Sequence, residues 1–135
     1  MERTLIIVKP DAVERGMVGE IISRFEHAGF EITRMRFERP EPEFFRRFYA
    51  EHEEKPHFKR LIEYMTSGPV CFVELARPEA VERARLLVGA TDPNEATPGS
   101  IRGDIGIDLP RNSVHASDCP EAAEREVALV FDRTE

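Results

Sequence analysis

Leu5-Ile6-Ile7-Val8 is a continuous apolar run, stopped at once by Lys9-Pro10. A strand with one face in water alternates apolar and polar residues. Four apolar residues in a row have both faces to bury. The run therefore reads as a buried strand, and such a strand belongs to a sheet covered by helices. Val70-Cys71-Phe72-Val73-Glu74-Leu75 reads as another strand after the Gly68-Pro69 turn.

The helices announce themselves by spacing. Met17, Val18, Ile21, Ile22, Phe25 and Ala28 recur at helical intervals, and Gly29 is a natural stop, which predicts a helix over Val18–Ala28. Asp11 is placed to cap the turns that follow it, which Gly16 interrupts. Phe30 to Glu38 reads as a strand whose alternation changes phase: Phe30 and Ile32 share one face, Met35 and Phe37 the other. A bulge or burial on both faces would account for this. Pro40-Glu41-Pro42 breaks the chain, and two helices follow over Glu43–Glu51 and His57–Thr66. Pro78 opens a helix through Val88. Ala90 to Asn112 is long, rich in Pro, Gly and Asp, and lacks periodicity, the mark of a functional or disordered loop. Ser113–His115 fits a short fourth strand, and Pro120–Phe131 a last helix with Glu121 and Glu124 suiting its dipole. The order is that of an α+β sandwich, and 135 residues fit one domain.

Composition removes several classes of function. The net charge of −7 argues against broad attraction to nucleic acid or anionic membranes, though not against a local cationic pocket. No apolar run reaches the roughly 18–20 residues that span a bilayer. Met1-Glu2-Arg3-Thr4 enters a strand-like run without the features of a signal peptide, so a cytoplasmic location is expected. The two cysteines, Cys71 and Cys119, form no CxxC pair, and no zinc-ligand spacing occurs. Asp11 and Asp118 are isolated carboxylates, and GxxxxGK[ST] is absent, which sets aside a P-loop kinase.

Histidine is a nucleophile that is unprotonated near neutral pH without drastic tuning. Of four histidines, His27 and His52 sit in polar helix-end or charged surroundings, and His57 follows Lys55-Pro56 at a helix start. His115 lies in Asn112-Ser113-Val114-His115-Ala116-Ser117-Asp118, beside the irregular segment that holds the other candidate groups. Alone, that heptad reads as a surface loop. Three other stretches change the balance: Thr4 to Val13 with Lys9-Pro10-Asp11, Gly89-Ala90-Thr91-Asp92-Pro93, and Pro98 to Asp104 with Arg102.

In order and spacing these four segments resemble the nucleoside diphosphate kinases, from Glu2 to about Phe131. The resemblance implies a ferredoxin-like, four-stranded antiparallel sheet covered by helices. It implies reversible transfer of a terminal phosphoryl group between nucleoside tri- and diphosphates, by a ping-pong route through phospho-His115. Glu126 would fix the second ring nitrogen, with Ser117 linking His115 and Glu126, and Tyr49 close to the nucleophile. Arg85, Thr91 and Arg102 would hold phosphates, and Asn112, with Lys9 nearby, would contact the sugar. His57 stands where the family commonly stacks a phenylalanine on the base, and Leu109 opposite it, so weak base discrimination is expected. Ala116 and Pro110 replace frequent glycines. Mg²⁺ would arrive on the nucleotide phosphates, with no metal ligands from the protein. A homo-oligomer, tetramer or hexamer, is implied, with no nucleic-acid or membrane partner. A nucleotide sensor without turnover and a regulatory oligomer with a fading site remain the competing readings.

Overall fold

The computed structural model describes residues 1–133. Four strands, β1 (Glu2–Val8), β2 (Glu31–Glu38), β3 (Val70–Arg77) and β4 (Val114–Ala116), form one sheet in the order β2-β3-β1-β4. Every neighbouring pair is antiparallel. Seven helices accompany it: α1 (Pro10–Glu14), α2 (Val18–His27), α3 (Pro42–Phe48), α4 (Phe58–Met65), α5 (Ala80–Val88), α6 (Ile101–Ile105) and α7 (Pro120–Phe131).

The uninterrupted apolar run of β1 is explained by its place. Ile6 and Val8 enter one core with Ile21, Phe25, Val73, Val88 and Ile101. Leu5 and Ile7 enter a second core with Phe45, Phe48, Met65, Phe72 and Val130. Both layers are dry at β1, where Leu5 to Val8 are all 0% exposed. Packing, not capping, holds most of the helices. Among the described residues only α6 is capped by its own N-cap side chain, the Ser100 hydroxyl accepting from Gly103 N at 3.1 Å. A cap contributes about 1 kcal/mol, whereas each fully buried Phe or Leu contributes roughly 1.5–3 kcal/mol.

The phase change in β2 is a bulge: the register with β3 shifts between Ile32 and Arg34. Burial on both faces does not occur, since Met35 and Phe37 are 48% and 60% exposed. Asp11 does not cap α1. Lys9 is the N-cap, without a side-chain cap bond, and Asp11 lies inside the helix. The helix expected from Pro78 begins at Ala80, because Glu79 takes φ 56° and turns the chain first. The helix expected over Glu43–Glu51 ends at Phe48 and continues as a 3-10 turn, Ala50–His52. The aperiodic stretch 90–112 contains α6, five residues too short to show a period.

One close approach fixes how that stretch lies. Gly89 has φ +90°, and a Cβ there would fall 2.5 Å from Ser100 Oγ. The end of α5 and the cap of α6 meet at a position where only glycine fits. No helix among the described residues is long and apolar enough to cross a membrane.

Candidate active site

His115 sits on β4, paired opposite Ile7 of the central strand. Antiparallel pairing and the hydrophobic layer beneath leave its ring partly exposed while the flanking Val114 and Ala116 point into the core. Phe48 packs edge-on to the imidazole at 5.4 Å between centroids, and Tyr49 at 6.3 Å. The ring is clamped through one nitrogen. Nε2 lies 2.8 Å from Glu126 Oε1. Glu126 is 4% exposed on α7. The same carboxylate oxygen accepts from the Ser117 hydroxyl at 2.8 Å, and Leu5 N donates to Ser117 Oγ at 3.3 Å. Ser117 was expected to bridge His115 and Glu126. Instead it shares Glu126 with His115 and anchors the carboxylate from behind. With Glu126 ionised, Nε2 carries the proton and Nδ1 holds the free lone pair.

Three cations lie within electrostatic reach of one another, Lys9 of Arg102 and Arg102 of Arg85. The Lys9 ammonium lies 8% exposed at the end of β1 and donates to Asn112 Oδ1 at 2.8 Å. Burial, then the nearby Arg102, pushes its pKa down to about 7, with Asp11 opposing weakly. Arg102 donates to Gly89 O at 3.1 Å and Val114 O at 2.8 Å, and its buried Nε has no partner among the described residues. Burial, then Arg85, brings it down to about 10. Arg85, on α5, pairs with Asp118 at 2.7 Å in an exposed ion pair. Burial is the first cause in both, and each feels a neighbouring cation, Arg102 at Lys9 and Arg85 at Arg102, an arrangement that a bound anion would relieve.

Asn112 is 3% exposed and ties the loop together, its amide donating to Thr91 O at 2.9 Å. Thr91 itself is exposed, as are His57, at the N-cap of α4, and Leu109. No hydrogen bond joins His57 to the other candidates among the described residues. The Tyr49 hydroxyl is buried without a partner among the described residues, and burial with Glu126 raises the phenol while Arg102 opposes.

Three expectations are corrected. Asp118 is not isolated, being the partner of Arg85. Asp11 is not isolated either: its carboxylate accepts from Tyr64, Ser113 and Arg15. His52 is not simply solvated, because the 3-10 turn folds its ring to 6.2 Å from Tyr49 and buries Nδ1 without a partner. Phe48 and Tyr64 carry no functional signal in the sequence, since their spacing marks them only as core residues.

No group of three or more His, Cys, Asp or Glu side chains is arranged to hold a metal among the described residues. The carboxylates near the cations already have partners. This donor set suits a magnesium ion carried on phosphate oxygens and retained water.

A histidine held by a buried carboxylate on an edge strand, with the buried cations Lys9 and Arg102 on neighbouring segments, suits a phosphotransferase. A family model described as nucleoside diphosphate kinase matches residues 2–135, and the chain belongs to that family. The nucleoside diphosphate kinase of Archaeoglobus fulgidus is 51% identical over 135 residues, covering 100% of this chain and 89% of that protein. That of Pyrococcus horikoshii is 51% identical, covering 96% and 85%. Among solved structures, the Aquifex aeolicus nucleoside diphosphate kinase superposes with a TM-score of 0.95 at 46% identity, covering 96% of this chain and 94% of the other. The Halobacterium salinarum nucleoside diphosphate kinase in complex with CDP gives 0.95 at 46% identity, covering 98% and 88%. The antiparallel sheet and its helices are thus the ferredoxin-like fold of that family, and the chain is a nucleotide-binding kinase.

Proposed function

We infer that this chain is a nucleoside diphosphate kinase in which His115 carries the phosphoryl group. The observation that carries the assignment is the Nε2–Glu126 contact at 2.8 Å, which leaves Nδ1 as the nucleophile. Nδ1 attacks the terminal phosphorus of a triphosphate. The bond from phosphorus to the bridging oxygen breaks, and the diphosphate leaves with that oxygen's electron pair. A second diphosphate takes the phosphoryl group back by the reverse displacement. Lys9, Arg85 and Arg102 neutralise charge on the transferring group, which is most of what phosphoryl transfer asks of a protein. Thr91 adds a hydroxyl, and Asn112 with Lys9 meets the sugar. Tyr49 lies over the nucleophile, and Ser117 holds Glu126. His57 and Leu109 offer exposed surfaces to the base. Magnesium, when bound on the phosphates, supplies further charge neutralisation there. The exposed Met35 and Phe37 on edge strand β2 support assembly into a homo-oligomer, a tetramer or hexamer, of this one domain.

The reaction is tested by halves. Incubation with Mg·ATP alone should add the mass of one phosphoryl group, labile to acid and stable to base. Adding GDP to the isolated adduct should discharge it and yield GTP. Nucleotide binding without an adduct would refute turnover and leave a sensor.

Lys9 gives a second expected result. Its folded pKa, about 7, lies below the unfolded value, so the free protein holds a largely neutral amine near pH 8. Phosphates beside it favour the ammonium. Binding should therefore take up a proton, and affinity should fall as pH rises above about 7. The same sign gives fold stability that rises with pH between about 7 and 10.5, where only the unfolded chain keeps the proton. Calorimetry in two buffers of different ionisation heat reads the uptake directly. Binding heats that do not depend on buffer would rule it out.

A further inference from the structure

The groups at the site stand on a strained piece of backbone. Ser113, between Asn112 and Val114, has φ +76°, the left-handed region that disfavours every residue but glycine. It is fully buried, so the turn is not relieved by solvent. Its hydroxyl holds it in place. Ser113 Oγ donates to Asp11 Oδ2 at 2.7 Å and accepts from Arg15 Nη2 at 3.0 Å. Its carbonyl accepts from Lys9 N at 2.9 Å.

Asp11 is the centre of this cluster. It also accepts the Tyr64 hydroxyl and, at 3.2 Å, Arg15 Nη2. That arginine nitrogen reaches Ile105 O at 2.8 Å, the last residue of α6. The cluster therefore joins α1, α4, the end of α6 and the segment leading into β4. Three of these carry site groups: Lys9 precedes α1, Arg102 rides on α6, Asn112 precedes Ser113 and His115 follows it by two residues. No hydrogen bond runs from Asp11, Arg15, Tyr64 or Ser113 to His115 or Glu126 among the described residues. The cluster touches the frame of the nucleotide site, not its nucleophile.

We propose that Asp11 and Ser113 are positioning residues for the nucleotide. Their hydrogen bond, braced by Arg15 and Tyr64, keeps residue 113 in its left-handed turn and thereby sets Asn112 against Lys9. This rests on the reading of the site given above. It implies an asymmetry. A nucleotide uses Asn112 at its sugar as well as the cations at its phosphates. A small phosphoryl donor such as phosphoramidate has neither sugar nor base, so it makes no use of Asn112 and depends on His115 and the cations that face the transferring group.

Three variants test it. Ser113→Ala removes the hydroxyl but keeps a Cβ on left-handed backbone. Ser113→Gly removes the hydroxyl and frees the backbone. Tyr64→Phe removes one brace from Asp11 and carries the test if the others fail to fold. ADP affinity by calorimetry should fall about tenfold or more in Ser113→Ala, less in Ser113→Gly, and about threefold in Tyr64→Phe. Phosphorylation of His115 by phosphoramidate, read by intact mass, should change less than about twofold in each, since the Glu126 clamp is untouched. Equal losses in both assays would make the cluster a strut of the fold and overturn the proposal. So would unchanged ADP affinity in folded Ser113→Ala and Tyr64→Phe, or tighter binding by Ser113→Ala than by Ser113→Gly. Failure of the kinase reading looks different. Wild-type protein that binds ADP yet accepts no phosphoryl group from either donor refutes the reaction, and the ADP affinities still decide for or against Ser113.

Discussion

Replacing His115 with alanine should lower phosphoryl exchange by at least about 10⁴-fold, roughly 5.4 kcal/mol of barrier, while nucleotide still binds. The reasoning is chemical. Ping-pong transfer has no route around the covalent intermediate, because water or a second nucleotide would have to occupy the place of the ring. The side chains proposed to meet the phosphates, Lys9, Arg85 and Arg102, are untouched by the change, so binding survives. Phe48 and Tyr49 lose an edge contact with the imidazole, which relaxes the pocket without emptying it. The check is an exchange assay beside an ADP titration. Exchange retained within tenfold would place the nucleophile elsewhere.

Glu126 should separate orientation from charge. Its Oε1 accepts from both His115 Nε2 and Ser117 Oγ. Glu126→Gln can present a carbonyl oxygen to both donors and keep the tautomer, but it loses the negative charge facing the ring. Glu126→Ala loses both and leaves Ser117 and the imidazole without a buried acceptor. We expect kcat/KM to fall about tenfold in Glu126→Gln and about 10²-fold in Glu126→Ala. The alanine variant should also lose about 1–3 kcal/mol of stability from the unsatisfied groups. Steady-state kinetics with a denaturation curve for each protein provides the measurement. Equal losses in the two variants would mean that the charge, and not the alignment of the ring, dominates.

The sequence was most legible where local pattern and final burial agree. The double-faced burial of β1 follows from four apolar residues in a row, and α7 begins and ends where Pro120 and Phe131 mark it. The bulge in β2 was visible as a slip in alternation. Antiparallel order was not visible in periodicity and came only through the family resemblance. Asp11 shows why the remainder was hidden. As a carboxylate just after a strand it looks like a helix cap, but its strongest partners lie 53 and 102 residues away. No local window contains Tyr64 and Ser113 together. The left-handed turn at Ser113 was equally hidden, since serine carries no signal for it. His52 looked solvated in a run of charges until a 3-10 turn folded it against Tyr49.

Gly89 has a consequence for engineering. Its carbonyl accepts from Arg102, and its missing Cβ is the space that Ser100 Oγ fills. The arginine on α5 and the arginine on α6 are thus spaced by a gap one carbon wide. The stretch 90–112 is therefore no interchangeable cassette. A graft that altered residue 89, or enlarged residue 100, would shift Arg102 relative to Arg85 even with both arginines retained. Redesign of the loop should leave this junction intact.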